Sequence, residues 1–209
     1  MSIFPPNRPS DEAILRAFDW YGYPRPSPSM SKVVALRRAD EPGEWNDLIG
    51  IMGGGISLWL QGTTDPGRRP MQGGRGVHHS GVARIVPGFY HDVWGWGWHK
   101  GNRKHPCLRQ KSPVPFERYR GNKWHLHAPD IRGFNLHRAR WKGTPEHVGH
   151  YSHGCIVIPD RIEHWEFCQT LGYPDPPFTP QQESYRIDFV LIDWIDYIQN
   201  GEHHGPQIR

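Results

Sequence analysis

Glycine and proline interrupt this chain so often that long helices and long strands are excluded over most of its length. The 209 residues include 24 glycines and 21 prolines, about twice the share of an average protein but below that of a low-complexity chain. The 10 tryptophans, 8 tyrosines and 8 phenylalanines argue against disorder, because disordered chains contain few aromatic residues. The sequence therefore predicts a folded domain of short strands joined by many turns.

Two helices are predicted from their end signals. The first runs from Asp11 to about Tyr21, with Ser10 as its N-cap and Gly22 as its stop. The second follows Asp160 and ends at Gly172, and its predicted apolar face consists of Ile162, Trp165, Cys168 and Leu171.

About seven short strands are predicted between and after these helices. Six candidates are bounded by glycine, proline, asparagine or aspartate, and they are 33–37, 56–61, 82–86, 95–99, 114–118 and 131–137. The seventh, 185–193, is predicted from its alternation and its apolar run. The result is an α+β, mostly β fold with one core. We expect an N-terminal arm over residues 1–9, a single domain over 10–199 and a flexible tail over 200–209.

The number of cysteines and the hydropathy of the sequence indicate the cellular location to expect. The 3 cysteines cannot form a disulfide framework. The first ten residues lack the basic and apolar regions of a signal peptide, and the apolar stretches at 56–60 and 189–192 are far shorter than the ~20 residues that span a bilayer. We expect a protein that is made in the cytoplasm, does not insert into a membrane and uses another route if it is exported.

The net charge of +4 raises the question of nucleic acid, which requires a basic stripe that neutralises phosphates. Here the positive residues are scattered in sequence, and no zinc-finger spacing or RNA-binding aromatic motif accompanies them. A solvated basic face is favoured over a nucleic-acid surface. Attraction towards an anionic polymer or envelope is the remaining alternative.

The most informative stretch pairs a histidine with a later cysteine. Cys155 lies between Gly154 and an apolar run, so its thiol is predicted at a turn-to-strand boundary, where backbone N–H groups can face an oxyanion. A nucleophilic thiol needs a base, and His137 ends the preceding predicted strand. Fourteen residues lie between His137 and Ser152, enough for a loop that lets the two strands pair.

This spacing, with the run Ser-His-Gly-Cys at 152–155, resembles the active-site motif of the L,D-transpeptidase catalytic domain (YkuD type). That family crosslinks or trims peptidoglycan stem peptides through a Cys–His pair on a β-rich sandwich or barrel. The resemblance implies that Cys155 is the nucleophile and His137 the base, without a cofactor. It also implies an oxyanion hole from the backbone of His153, Gly154 and Cys155, with Ser152 and the His153 ring as supporting groups.

One position departs from that motif. The family usually carries a substrate-holding arginine two residues after the cysteine, and this chain has Val157 there. Arg138 is a candidate replacement. His99 and Trp98 are further candidates for substrate contact, although both also suit packing.

Residues 10–193 resemble, more loosely, a set of phage and prophage proteins of unassigned function. The shared segments are Thr-Thr-Asp-Pro-Gly at 63–67, the stretch 99–110, Asn-x-His-Arg-Ala at 135–139 and the cysteine motif. This resemblance implies a phage-encoded cell-wall enzyme that is virion-associated or delivered to the envelope, with peptidoglycan, other virion proteins or copies of itself as partners. A structural virion or envelope-binding protein that keeps the fold without turnover is the alternative from another class.

Several residues have competing interpretations. A zinc hydrolase built on His137, His150, His153 and Cys155 has the right ligand types, but no His-x-x-x-His or Cys-x-x-Cys pair supports it. Cys107 and Cys168 are predicted to pack, and most other histidines, His164 among them, are predicted to be solvated. The period-two series Trp94, Trp96 and Trp98 predicts one strand face, used for core packing or as a platform for sugar or peptide.

Overall fold

A computed structural model describes residues 8–38, 42–72, 81–99, 105–174 and 183–201. Within these ranges eleven strands form two sheets, so the mostly β, α+β prediction is confirmed. In chain order the strands are β1 Lys32–Arg37, β2 Asp47–Gly53, β3 Ile56–Gly62, β4 Ala83–Ile85, β5 Gly88–Trp98, β6 Pro106–Gln110, β7 Val114–Arg120, β8 Lys123–Asp130, β9 Leu136–Arg138, β10 Ile156–Ile158 and β11 Ile187–Asp193.

The larger sheet curves until its two edges nearly meet. Its strand order is β10-β9-β6-β5-β11-β1-β2-β3, and the smaller sheet has the order β4-β7-β8. The edge strands β3 and β10 approach each other through an isolated bridge between Thr63, just after β3, and Val157. The eight strands therefore form an almost closed barrel, which leaves little unpaired edge.

The helices of the described residues are short. They are α1 Asp11–Tyr21, the short α2 Arg68–Met71, α3 Arg161–Thr170 and α4 Trp194–Asp196, which continues into a π-helical turn over Tyr197–Gly201. The predicted first helix is confirmed with its caps: Ser10 Oγ accepts the Ala13 N–H, and Gly22 ends the helix at φ 70°. No described helix is long and apolar enough to cross a membrane.

Alternation along the strands divides the buried residues into three clusters. The inner core lies inside the curved sheet and contains residues from all eight strands, together with residues of the smaller sheet and α3. A helix-side core lies between the sheet and α1, and a small outer cluster consists of Trp45, Val148 and Val157. Trp94 and Trp96 belong to the inner core and Trp98 packs against it, which supports the packing interpretation of this series.

The predicted apolar face of the second helix is wrong in part. Ile162 is 70% and Trp165 47% exposed, whereas His164 and Phe167 are buried. Three residues turn a helix by about 300°, so a stripe repeated every third residue moves around the helix and its first and last members end on opposite sides. The buried face follows the i, i+3, i+4 spacing that starts at His164.

Only the short strand β9 is found where a strand over 131–137 was predicted, because a residue distant in sequence binds the backbone N–H groups there. The side-chain oxygen Oε1 of Gln110 accepts the backbone N–H groups of Arg132, Gly133 and Phe134 at 2.9–3.0 Å. These donors therefore bond to a buried amide rather than to a neighbouring strand. The strands β2, β6 and β8 were not predicted, and β8 is nearly all exposed and lacks the alternation that marks a strand.

The predicted domain limits fall partly outside the described residues. Residues 1–7 of the predicted arm and 202–209 of the predicted tail lie outside the described residues. Residues 200 and 201, predicted as the start of the tail, instead belong to the π-helical turn, and a Cβ on Gly201 would meet the rings of Trp20 and Tyr197.

Candidate active site

β9 and β10 lie side by side as parallel strands, so the predicted pairing of the His137 strand with the cysteine strand is confirmed. His137 pairs with Val157, and Leu136 pairs with Ile156. Leu136 and Ile156 belong to the inner core, whereas Val157 belongs to the outer cluster and Cys155 packs against that cluster. Since side chains alternate across a strand, His137 lies on the same face as Val157 and Cys155.

His137 is buried and its tautomer is determined by its neighbour. Its Nδ1 lies 2.7 Å from the carbonyl oxygen of Arg138. A carbonyl only accepts hydrogen bonds, so in neutral His137 the hydrogen is on Nδ1 and the lone pair is on Nε2. Nε2 is therefore the atom that can act as a base.

Cys155 is half-buried and lies at the wall of a cavity of about 420 Å³. Its Sγ lies 3.5 Å from the carbonyl oxygen of Gly133. The cavity is lined by residues of four segments: Gly81, Val82, Ala83, Arg118, Ile131, Arg132, Gly133, Phe134, His153, Gly154 and Cys155. A peptide-sized group can reach the thiol here, while His137 is not among the lining residues.

Ser152 organises the turn that presents the thiol. Its buried hydroxyl donates to the Cys155 carbonyl at 2.8 Å and accepts the Gly154 N–H at 3.1 Å. The Gly154 N–H, expected in the oxyanion hole, thus has a partner within the turn. Ser152 therefore contacts the backbone on both sides of the Gly154–Cys155 peptide.

Gly154 occupies a position that other residues do not fit. Its φ is +133°, and a Cβ would lie 2.1 Å from the carbonyl oxygen of Ala83 on β4. The Ala83 N–H in turn lies 3.4 Å from the His153 carbonyl oxygen. The turn before Cys155 therefore packs directly on the smaller sheet, and this contact places that sheet at the cavity.

The segment 63–67 supports the same turn from the other side. The Gly67 N–H donates to the Ser152 carbonyl at 2.9 Å. Asp65 is buried, and its Oδ1 lies 3.1 Å from Arg84 Nη1 and 3.6 Å from Arg37 Nε. Asp65 therefore anchors this segment through buried ion pairs.

The three residues predicted as candidates for substrate contact, Arg138, Trp98 and His99, do not lie together at the cavity of Cys155. Arg138 is buried, its guanidinium lies over the Trp141 ring, and it lines a separate cavity of about 270 Å³. Trp98 is half-buried and meets the Tyr173 ring edge-on. The His99 ring lies against the ring of His137, with centroids 3.9 Å apart and the planes tilted by 32°, so its side chain contacts the predicted base.

The imidazole rings of His99, His105, His137 and His164 lie close together. The His105 ring lies 5.5 Å from that of His137 and 6.5 Å from that of His164. Burial lowers the pKa of both His105 and His164 to about 3, helped by the positive charge of Arg138. His164, predicted to be solvated, is therefore a buried neutral ring, and this prediction is wrong because the helix turns it inwards.

The other two cysteines are buried, as predicted. Burial raises the pKa of Cys107 to about 12 and raises that of Cys168 further. Neither is a nucleophile at neutral pH, since the thiolate is the reactive form.

The ligands of the zinc alternative do not meet in one place. Within the described ranges, ligand atoms of at least three His, Cys, Asp or Glu residues lie within 4.8 Å of one another only at His91, Asp92 and Asp188. His137, His150, His153 and Cys155 thus form no preformed ligand set there. In the cluster of His91, Asp92 and Asp188, Asp188 Oδ2 already accepts a hydrogen bond from Lys32 Nζ at 2.6 Å.

Two arginines of the cavity wall were not predicted from sequence. Arg118 lies on β7 and Arg132 on the segment held by Gln110. The alternation of basic residues along 118–120 was the available signal, but nothing local in the sequence connects either arginine with Cys155.

No protein-family model, curated protein or solved structure matches this chain.

Proposed function

We propose that this protein is a cysteine-dependent enzyme that transfers or hydrolyses peptide acyl groups, in the manner of L,D-transpeptidases acting on peptidoglycan stem peptides. One observation carries the proposal: a half-exposed thiol at a cavity shares a sheet face with a buried histidine on the adjacent strand. The histidine presents Nε2 as its basic atom because Nδ1 donates to Arg138.

These groups supply a complete acyl-transfer cycle. Nε2 of His137 takes the thiol proton, and Sγ of Cys155 attacks the carbonyl carbon of the substrate amide. The C–N bond breaks, the leaving amine takes the proton from His137, and the acyl group remains as a thioester on Cys155. An acceptor amine or water then attacks the thioester carbonyl carbon and gives its proton to His137. The C–S bond breaks, a new amide or a carboxylic acid leaves, and the proton passes from His137 to the sulfur, which restores the thiol.

A second candidate is a structural virion or envelope-binding protein that keeps the fold without turnover. Two observations favour it: the Gly154 N–H already bonds Ser152, and the side chain of Val157 is fully buried, so it cannot hold substrate. In that case Cys155 remains accessible but no acyl-enzyme forms.

Comparison of four proteins tests the proposal. Purified sacculi and stem-peptide fragments are treated with the wild type, Cys155→Ala, His137→Asn and Cys168→Ala, and products are identified by mass spectrometry. Asparagine keeps a donor for the Arg138 carbonyl but has no basic nitrogen, and Cys168→Ala is the matched control that retains Cys155. We expect new crosslinks or trimmed peptides with the wild type and Cys168→Ala, and none with the other two.

Two outcomes would contradict the proposed enzyme or its base. Identical products for the wild type and Cys155→Ala, together with no labelling of Cys155 by a peptide bearing a thiol-reactive group, would leave the binding protein as the function. Equal product yield with His137→Asn would remove His137 from the mechanism.

A further inference from the structure

One face of the β7–β8 hairpin is basic, and it lies beside the thiol cavity. In the antiparallel register Phe116 pairs with His127, Arg118 with His125, and Arg120 with Lys123. Because these positions alternate along each strand, their side chains share one face. The opposite face has a different character, since Glu117 there pairs with Arg84, whose guanidinium lies over Trp124.

This face continues directly into the cavity at Cys155. A groove of about 820 Å³ runs along the hairpin and is lined by Arg118, Arg120, Gly121, Lys123, His125, His127 and Arg132. Arg118 and Arg132 line both the groove and the 420 Å³ cavity that contains Cys155. A ligand chain can therefore extend from the thiol along the basic groove.

Arg118 and Arg132 form a pair of cations at the junction of the two spaces. Each guanidinium carbon lies 5.4 Å from the centroid of the Phe116 ring. The pKa of Arg118 is lowered first by burial and then by the charge of Arg132. Both positive charges therefore lie near the same ring at the cavity wall, and together they attract an anion to this region.

Few carboxylates of the described chain neutralise this pair. Arg132 forms an exposed ion pair with Asp130 at 2.6 Å, and Arg118 donates Nη1 to the Gly81 carbonyl at 2.9 Å. Within the described residues, no carboxylate lies within ion-pair distance of Arg118, Arg120 or Lys123. The groove therefore keeps a net positive charge that is open to solvent.

We infer that Arg118 and Arg132 bind a carboxylate of the acyl donor, so that the site selects a carboxylate-bearing peptide whose chain continues along Arg120 and Lys123. The inference rests on the proposed function for the acyl-transfer step. It assigns to the hairpin the substrate-holding role that the buried Val157 side chain cannot perform, whereas Arg138 lines a separate cavity. Paired guanidinium groups suit a planar carboxylate because each can offer two parallel N–H donors.

The charge at the thiol can be measured without any turnover. Iodoacetate and iodoacetamide both alkylate a thiolate with loss of iodide, but only iodoacetate carries a carboxylate. The ratio of their rate constants at Cys155 is determined by mass spectrometry for the wild type, Arg118→Gln, Arg132→Gln and the double variant. Arg118→Lys keeps the charge, and Arg16→Gln on the surface of α1 is the matched control.

We expect the iodoacetate-to-iodoacetamide ratio to fall roughly threefold for each charge removed at low salt. The ratio stays near wild type in Arg118→Lys and Arg16→Gln, and the differences shrink at high salt because ions screen exposed charges. An unchanged ratio in a folded double variant overturns the inference.

A binding measurement tests the ligand class itself. A fluorescent stem-type tetrapeptide with free carboxylates, and the same peptide with amidated carboxylates, are titrated into Cys155→Ala, which cannot turn over. We expect tighter binding of the free acid, and loss of that preference when Arg118→Gln and Arg132→Gln are added. Equal binding of both peptides contradicts the inference.

The two proposals fail in different ways. Charge-selective binding without products from the wild type leaves the carboxylate site in place and removes the enzyme. Products that form at equal rates from free and amidated peptides retain the enzyme and remove the carboxylate site.

Discussion

Val157 exchanges both backbone hydrogen bonds with Thr63, at 2.9 and 3.0 Å. On its other side the same residue pairs with His137 of β9. The strand after Cys155 is therefore held from both edges, and the bridge also joins the two ends of the curved sheet. The position of the thiol is thus determined by the closure of the barrel as well as by its own turn.

Val157→Arg tests whether this position can take the arginine of the resembled motif. The Val157 side chain is fully buried in the outer cluster with Trp45 and Val148. Burial of an unpaired guanidinium costs several kcal/mol, so we expect a large loss in the free energy of unfolding, measured by urea denaturation. Ile162→Arg, at an exposed position of α3, is the control and changes stability by less than about 0.5 kcal/mol. Equal stability of the two variants would show that the position opens to solvent.

Gly154→Ala separates steric conflict from backbone strain. The added Cβ would lie 2.1 Å from the Ala83 carbonyl oxygen, whereas at Gly172, which also has positive φ, nothing lies within 4 Å. We expect Gly172→Ala to lose about 1 kcal/mol from strain alone and Gly154→Ala to lose clearly more, with slower alkylation of Cys155. Thermal unfolding and thiol-labelling rates measure both effects. Similar losses for the two variants would contradict a tight contact between the turn and β4.

The parts of the fold with local signals were predictable from sequence. Helix α1 has its cap at Ser10 and its stop at Gly22, and both act within a few residues of the helix ends. The spacing between His137 and Cys155 also predicted two paired strands correctly. Each of these features depends on residues close in sequence or on one short motif.

The parts that depend on distant partners were not predictable. The strand expected at 131–137 is mostly absent because Gln110 accepts its N–H groups, and no pattern within 131–137 records that acceptor. Arg118 and Arg132 are distant from the cysteine motif in sequence, and only the folded structure brings them to the cavity, so the motif does not predict them. His164 was misplaced because a single rotation of the helix face changes which side chains are buried.

Asp47 provides a test of the buried polar network beneath the site. Its carboxylate accepts the Arg38 N–H at 3.0 Å and both the N–H and the hydroxyl of Thr64 at 2.7 Å. Asp47→Ala leaves these buried donors without an acceptor, so we expect a loss of about 3–5 kcal/mol. Asp47→Asn keeps one acceptor oxygen and loses less. Urea denaturation measures the series, with exposed Glu166→Ala as the control, and a near-neutral Asp47→Ala would mean that water replaces the carboxylate.

Acid is expected to destabilise the protein below about pH 6.5 through its buried histidines. Burial lowers the pKa of His164 to about 3, so between pH 3 and 6.5 the unfolded chain binds a proton that the folded chain refuses. Stability from this residue is therefore complete above pH 6.5 and falls as the pH decreases, by about 1.4 kcal/mol per pH unit at most. His105, less buried, acts in the same direction.

Asp47 acts in the opposite direction over part of the same range. Burial, and then the charge of Asp65, raise its pKa to about 6, so its contribution to stability declines as the pH rises from about 4 to 6. The wild-type profile contains both effects, and a variant at His164 separates them. When the pH decreases from 6.5 to 5, we expect the free energy of unfolding of His164→Gln to fall by about 1–2 kcal/mol less than that of the wild type. Urea unfolding at matched ionic strength measures both. A His164→Gln profile parallel to that of the wild type would show that His164 takes up its proton in the folded state.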